Sequence, residues 1–185
     1  MGVYVNPGTK NMEIDIDDEF YVDKSLLVKV LNTKLNKKDR FICVSRPRRF
    51  GKTMAANMIA AYYSKDCDSH DVFSDLKISK DSSFEENINK YTVIQLDMND
   101  VVTNKEDNSI TEYINKEVVS ELRKIYPSAL PEENVSLSKA IKEIFSLTGD
   151  QFVFVIDEYD VIIRDQKYSS ELDGYLTFLV SLFKN

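Results

Sequence analysis

The organisation of this chain follows from the stretch Ser45-Arg46-Pro47-Arg48-Arg49-Phe50-Gly51-Lys52-Thr53, which joins an apolar run to a helical pattern. The apolar run, Phe41-Ile42-Cys43-Val44, predicts a buried strand. The helical pattern begins at Met54. A strand, a tight loop ending in Gly-Lys-Thr and a helix form the context of a phosphate-binding loop, or Walker A motif. The alternative for this stretch alone is a basic loop that a glycine closes before a helix.

Each residue at the end of this loop can contribute to binding a phosphate group. Gly51 lets the backbone approach an anion, Lys52 can reach the β- and γ-phosphates, and the Thr53 hydroxyl can bind Mg²⁺. The front of the loop departs from the pattern G-x-x-x-x-G-K-[ST], because Arg46 occupies the position of the first glycine. Pro47 then removes one amide donor. We therefore expect a loop that differs from an ordinary glycine-rich cradle.

A second stretch, at residues 152–160, complements the first. Five apolar residues from Phe152 to Ile156 predict a strand that is buried on both faces. Asp157 and Glu158 follow at its carboxyl end, where open α/β sheets bind ligands. There Asp157 could hold the water shell of Mg²⁺ (Walker B), and Glu158 could orient and deprotonate an attacking water. The alternative is a solvated carboxylate pair, but two matched motifs in this order favour nucleotide binding.

Composition excludes several other classes of protein. The chain has 185 residues, of which 43% are apolar and 30% charged, so we expect one soluble domain. No apolar run approaches the ~20 residues of a membrane helix, and the first residues lack the pattern of a secretory signal. Two cysteines and one histidine give little support to a zinc site or a Cys–His catalytic site. A reducing cytoplasm is the expected location.

The charge is distributed unevenly. A formal net charge of −7 argues against a protein that coats nucleic acid. Positive charge is nevertheless concentrated on the loop, and we expect the whole stretch Arg46, Arg48, Arg49, Phe50, Gly51, Lys52 and Thr53 to bind the nucleotide. Direct contact of the three arginines with DNA is a weaker possibility, since a bound triphosphate would occupy the same loop.

The rest of the chain predicts an N-terminal arm, residues 1–22, and one α/β domain, residues 23–185. Residues 13–19 are acidic, with Ile14 and Ile16 alternating, and we expect an irregular solvated arm there rather than a short edge strand. Predicted strands lie at 41–44, 91–98 and 152–156, residues 99–109 are expected to be a loop, and helical patterns separate the strands. This alternation predicts a parallel sheet with helices on both faces.

With both motifs in hand, the sequence resembles the predicted AAA-ATPase-like family of prokaryotic P-loop proteins over nearly its whole length. The resemblance rests on Val5–Gly8, Tyr21–Ser25, Val44–Thr53, Ala61–Ser64 and Val155–Asp160. It implies an ATPase that uses Mg²⁺, with Lys52 and Glu158 in catalytic roles and Thr53 and Asp157 at the metal. It also implies that Arg46 is the family's own form of the loop. Members of the family commonly continue into a nuclease-like domain of the PD-(D/E)XK type, but no such motif is visible here.

The resemblance also implies a sheet larger than these residues supply. P-loop ATPases with a catalytic glutamate usually have five strands in the order 5-1-4-3-2, with a polar sensor residue on strand 4. The chain then looks truncated before the sensor strand, and strands 1 and 3 would be left with unpaired edges. We therefore expect residues 1–185 to bind ATP but hydrolyse it barely above background, and a chain with the next two strands to hydrolyse it in a Glu158-dependent way.

Two functional classes stay open at this point. One is an ATPase whose hydrolysis drives or regulates an attached effector, such as a nuclease, or a partner in self-association. The other is an ATP-sensing regulatory or interaction module with little hydrolysis. Glu158 favours the first class, because a site that only binds ATP needs no carboxylate to activate water.

Overall fold

The centre of the molecule is a parallel pair of strands, β1 (Thr92–Asp97) and β2 (Phe152–Asp157). The computed structural model describes residues 2–45, 47, 49–130 and 135–183. The two strands lie in register, with Thr92 opposite Phe152 and Asp97 opposite Asp157. Both strands were predicted from their apolar runs. Their carboxyl ends therefore meet at one edge of the sheet, with Asp157 in the last pair.

Helices surround this pair of strands. The α-helices are α1 (Lys10–Ile16), α2 (Leu26–Asn32), α3 (Lys52–Tyr63), α4 (His70–Phe73), α5 (Phe84–Asn87), α6 (Met98–Asn104), α7 (Ile110–Ile125), α8 (Leu137–Thr148), α9 (Val161–Arg164) and α10 (Leu172–Phe183). Lys77–Lys80 and Gln166–Tyr168 form 3₁₀ helices. Within the described ranges, we find no helix with the length and apolarity that crossing a bilayer requires.

The two faces of the sheet pack against different helices. Side chains alternate along a strand, so Ile94 and Leu96 lie on one face and Val93 on the other. The first face packs against α7, α8 and α10, and the second against α3. A separate apolar core therefore lies on each face of the sheet. The fold class is therefore as the sequence predicted: a P-loop-like α/β fold with a parallel sheet and helices on both faces.

Local sequence signals explain where α7 and α8, two helices between β1 and β2, begin and where α8 ends. Ser109 starts α7 with a capping box, in which its hydroxyl accepts from the N–H of Glu112 and the Glu112 carboxylate accepts from the N–H of Ser109. Ser136 begins α8 in a similar way, with its hydroxyl accepting from Lys139. Gly149 ends α8 at a φ of 76°, which is costly for other residues.

Two predicted irregular segments are helical instead. Residues 98–104 form α6, because the Asp97 side chain accepts from the N–H of Asn99 and so caps a helix that the polar sequence did not reveal. Within the acidic stretch 13–19, residues up to Ile16 belong to α1, whose Met12 is buried. The boundary between an arm and a domain after residue 22 stays a prediction.

The prediction of a buried strand at Phe41–Val44 is wrong. These residues are not part of the sheet, and Phe41, Ile42 and Val44 are exposed by 54%, 44% and 47%. Cys43, expected to be buried, is exposed as well. An apolar run becomes a strand only if its backbone has a neighbouring strand to bond, and among the described residues β2 pairs only with β1.

The segment nevertheless runs beside the free edge of β2. Asn36 donates to the side chain of Gln151 at 3.1 Å, and Cys43 lies 3.2 Å from the Tyr159 hydroxyl. Between these points the ring of Phe183 contacts both Phe41 and Phe154, with ring centroids 5.5 and 5.6 Å away. An aromatic side chain from α10 thus lies between this segment and β2.

The N-terminal segment is fastened to the opposite edge of the sheet. Val5 forms an antiparallel bridge with Ile94, and it is completely buried. The Glu121 carboxylate, on α7, accepts hydrogen bonds from the backbone N–H groups of Val3, Tyr4 and Val5 at 2.8–2.9 Å. A single side chain therefore satisfies three consecutive backbone donors.

Replacing Glu121 with alanine should lower the free energy of unfolding by about 2 kcal/mol, because buried donors at Tyr4 and Val5 lose their acceptor. Urea unfolding monitored by circular dichroism would measure the change. Glu143→Ala is a matched control, since Glu143 is exposed on α8. Equal stability of the two variants would contradict a structural role for the Glu121 carboxylate.

Candidate functional site

The loop before α3 turns sharply at two residues. Arg49 and Gly51 both have positive φ angles, 67° and 70°, and Gly51 caps the amino end of α3. This conformation is unfavourable for arginine and easy for glycine. It directs the loop into α3, whose first residues are Lys52 and Thr53. Arg46 and Arg48, also predicted to bind the nucleotide, lie outside the described residues.

The loop and the acidic strand end meet through one hydrogen bond. The Thr53 hydroxyl donates to Oδ2 of Asp157 at 2.6 Å, across 104 residues of sequence. Asp157 is buried, and its other oxygen accepts from the N–H of Glu158 at 2.9 Å. The two residues predicted to bind metal are therefore in direct contact, at the carboxyl end of β2 and the amino end of α3.

Glu158 stands beside them in a constrained position. Its φ angle of 49° is uncommon for a residue other than glycine. One carboxylate oxygen lies 3.8 Å from Nζ of Lys52. The other accepts from Nη2 of Arg164 at 2.8 Å, while Nε of Arg164 lies 2.7 Å from Asp160. The predicted base is thus held between two cations.

Arg164 contacts the site directly, although the sequence did not indicate a role for it. The chain places it six residues after Glu158, too near the acidic motif to suggest an arginine finger. Short helix α9 brings its guanidinium back to the end of β2, where it bridges Glu158 and Asp160. The sequence signal for this contact is the four-residue spacing of Asp160 and Arg164, which are neighbours on a helical turn.

These groups surround an open cleft of about 980 Å³, which we call the main cleft. Arg49, Lys52 and Arg164 supply positive charge to its walls. The remaining lining residues are Gly51, Thr53, Met54, Asn99, Glu158, Val161, Asp165 and Gln166. Oligophosphates of nucleotides match a volume of this size and a wall that combines cations with the amino end of a helix.

Phe50 occupies a different position from the rest of the predicted set. Its side chain is exposed and does not line the main cleft, and its backbone carbonyl accepts from Nζ of Lys24 at 2.8 Å. Lys24 thereby ties the segment before α2 to the loop. This contact could not be predicted from the sequence, because Lys24 lies 26 residues before its acceptor.

The protein oxygens available to a metal are few. Within the described ranges, no group of three or more His, Cys, Asp or Glu side chains is arranged to hold a metal ion. Thr53 and Asp157 supply a hydroxyl and a carboxylate at one point, which suits Mg²⁺ that completes its shell with phosphate oxygens and water. The residues present therefore fit Mg²⁺ that arrives with a nucleotide.

Comparison with known proteins gives one match. A family model described as "Predicted AAA-ATPase" matches residues 8–185. No match was found among the curated proteins or among the solved structures.

The nucleotide-free protein should bind Mg²⁺ only weakly, because it offers the ion just Thr53 and Asp157. In the presence of ATP, Thr53→Val should weaken binding of the magnesium complex at least tenfold, since it loses an oxygen ligand. Affinity for ATP in excess chelator should stay the same. Calorimetry would measure each affinity.

Thr53→Ser serves as the control, because it keeps the hydroxyl and should retain the magnesium dependence. Tight binding of Mg²⁺ without nucleotide would show that the metal site lies elsewhere.

Proposed function

Because the chain belongs to the family of predicted AAA-ATPases, we propose that it binds ATP with Mg²⁺ in the main cleft and that residues 1–185 hydrolyse the γ-phosphate bond only slowly. The observation that carries this proposal is the 2.6 Å hydrogen bond between Thr53 and Asp157. It joins the Gly-Lys-Thr loop to the acidic strand end, and both would hold the same metal. The ion would neutralise charge on the phosphate oxygens when bound.

The loop would hold the phosphates by charge and by backbone donors. Lys52 begins α3, so its ammonium group and the first amides of the helix belong to the same end of the element. Gly51 has no side chain to separate the backbone from an anion. Arg49 lines the same cleft and adds a third kind of donor. Arg46 and Arg48 complete the proposed nucleotide contacts.

Glu158 would act as the base that takes a proton from the attacking water. Phosphoryl transfer depends mainly on positioning and on positive charge near the transferred group. Lys52 and Arg164 provide such charge, but both lie next to Glu158 in the nucleotide-free protein. A bound triphosphate would compete for these cations, so its arrival would loosen the hold on the Glu158 carboxylate.

The second candidate function is an ATP-sensing module that hydrolyses little. Two observations favour it for residues 1–185. Glu158 is held between two cations, and Phe41–Val44 before the loop lie outside the sheet. Sites that position a water precisely are built on fixed elements. The same ATP site would then report nucleotide through a change in shape to an effector domain or to another copy.

The proposed ATP binding also bears on the cell compartment. ATP is a cytoplasmic metabolite, and both cysteines are free, with Cys43 exposed. We therefore propose a cytoplasmic location.

Lys52→Ala should abolish measurable ATP binding, because the phosphates lose their main point charge. Titration calorimetry of parent and variant would measure it. Lys90→Ala is a matched control on an exposed lysine away from the main cleft, and it should bind ATP as the parent does. An affinity of the Lys52 variant within twofold of the parent would remove the phosphate-loop assignment.

Glu158→Gln should bind ATP severalfold more tightly than the parent, since it removes a negative charge from the main cleft and leaves Lys52 and Arg164 to the phosphates. Phosphate release by the parent residues 1–185 should be barely above background, and the variant should show none.

Asp160→Asn is the control for this effect, because it removes the ion pair between Asp160 and Arg164 and keeps the Glu158 carboxylate. Robust turnover by the parent that disappears in Glu158→Gln would overturn the expectation of slow hydrolysis and favour a complete catalytic set.

A further inference from the structure

Two stretches of opposite charge lie on the surface of this chain, and the proposed ATP site uses neither. Residues 13–19, the acidic stretch, contain five carboxylates and no cation. Residues 34–40, which we call the basic segment, contain four cations and one carboxylate. Like charges gathered on one surface repel each other, so each stretch favours a partner of the opposite sign.

The acidic stretch forms no ion pair within the part of the chain that the structure describes. Four of its carboxylates are exposed: Glu13, Asp17, Asp18 and Glu19. The fifth, Asp15, accepts a hydrogen bond from Asn57 at 2.9 Å. The acidic stretch therefore presents nearly all of its negative charge to the solvent.

The basic segment also keeps most of its charge. Its one carboxylate pairs with Lys34, which leaves Lys37, Lys38 and Arg40 without an ion pair among the described residues. All three side chains are exposed. The Arg40 guanidinium lies over the Phe41 ring, 4.7 Å from its centroid, so positive charge stands beside an aromatic surface.

Exposed apolar side chains accompany both stretches. Ile14 and Phe20 lie within and directly after the acidic stretch, and they are exposed by 62% and 80%. Phe41 and Ile42 follow the basic segment and are exposed as well. Apolar groups surrounded by charged ones are typical of surfaces that bind another protein.

The two stretches are attached to different strands of the sheet. Asn57 of α3 links the acidic stretch to β1, since it donates to Asp15 and accepts from Gln95 at 3.1 Å. The 3.1 Å bond between Asn36 and Gln151 places the basic segment at the free edge of β2. Within the described ranges, no hydrogen bond or ion pair joins the two stretches. They do not neutralise each other in one molecule, but they can do so between two.

We propose that the acidic stretch of one copy of this chain binds the basic segment of a second copy. Carboxylates then meet lysines and an arginine, and the exposed apolar neighbours of both stretches are covered together. Every molecule carries both surfaces, so they are present in equal number. Such a contact joins two different surfaces, and it can repeat from copy to copy in a ring or a filament.

A second copy accounts for more of this surface than a nucleic acid does. A polyanion would neutralise the basic segment but leave the acidic stretch unpaired, and the net charge of −7 would repel it. Exposed ion pairs are individually weak and are screened by salt. We therefore expect a transient association that is strongest at low ionic strength.

Charge reversal on each surface tests the pairing. Lys37→Glu/Lys38→Glu reverses the basic segment, and Asp17→Lys/Asp18→Lys/Glu19→Lys reverses the end of the acidic stretch. All five side chains are exposed and lie outside the main cleft, so both variants should fold, which circular dichroism would verify.

Sedimentation velocity without nucleotide would measure the association over a series of protein concentrations. The parent should associate in about 50 mM NaCl and dissociate in about 500 mM NaCl. Each variant alone should associate at least about tenfold more weakly, because like charges then face each other. An equimolar mixture should recover a complex of two chains and no larger one, since each variant keeps one intact surface.

Two controls locate the contact. Lys124→Glu/Lys142→Glu makes the same change in net charge at exposed positions on α7 and α8, and it should associate as the parent does. Lys52→Ala keeps both surfaces and should also associate as the parent does. A loss of association in Lys52→Ala would move the contact to the phosphate-binding loop and overturn the proposal, whether or not ATP binds there.

A parent that stays monomeric in about 50 mM NaCl would overturn the proposal. So would an equal loss of association in Lys124→Glu/Lys142→Glu, or a mixture of the two reversal variants that does not associate. A monomeric parent that binds a single-stranded oligonucleotide, with binding lost in Lys37→Glu/Lys38→Glu, would assign the basic segment to a nucleic acid instead.

Discussion

The hydrogen bond from Thr53 to Asp157 is the interaction on which the site depends. It connects the first residues of α3 with the last residue of β2, and neither element determines the position of the other by local sequence alone. Once this bond forms, Lys52 and Glu158, each one residue away from it, must lie close together. The 3.8 Å separation of their charged groups follows from that geometry.

The site and the fold differ in how far the sequence predicts them. The residue types of Gly51-Lys52-Thr53 and Asp157-Glu158 predict the chemistry of the site. The apolar runs flanked by polar residues predict the strands β1 and β2. The start of helix α7 is equally predictable, because Ser109 and Glu112 form a capping box. These features are local, or they depend on one long-range step that the parallel sheet supplies.

Other features depend on neighbours that are distant in sequence. Phe41–Val44 has the composition of a strand, but strand formation requires a second backbone, and among the described residues β2 offers its hydrogen bonds only to β1. Lys24 reaches the site through a tertiary contact, and an exposed charged side chain carries no pattern that predicts a partner 26 residues away. Helix α6 was not predicted for a local reason. Its sequence has a weak helix propensity, which the Asp97 cap outweighs.

The placement of the two motifs has a consequence for how the protein becomes active after synthesis. Helices α6, α7 and α8 must all be made before β2 can join β1, and the contact between Thr53 and Asp157 spans 104 residues. Parallel pairing across so long a connection is slow compared with helix formation. Chains still being translated would hold a completed α3 without its acidic partner, so the proposed nucleotide site would stay incomplete until β2 is made. Ligand binding would then distinguish a finished molecule from a nascent one.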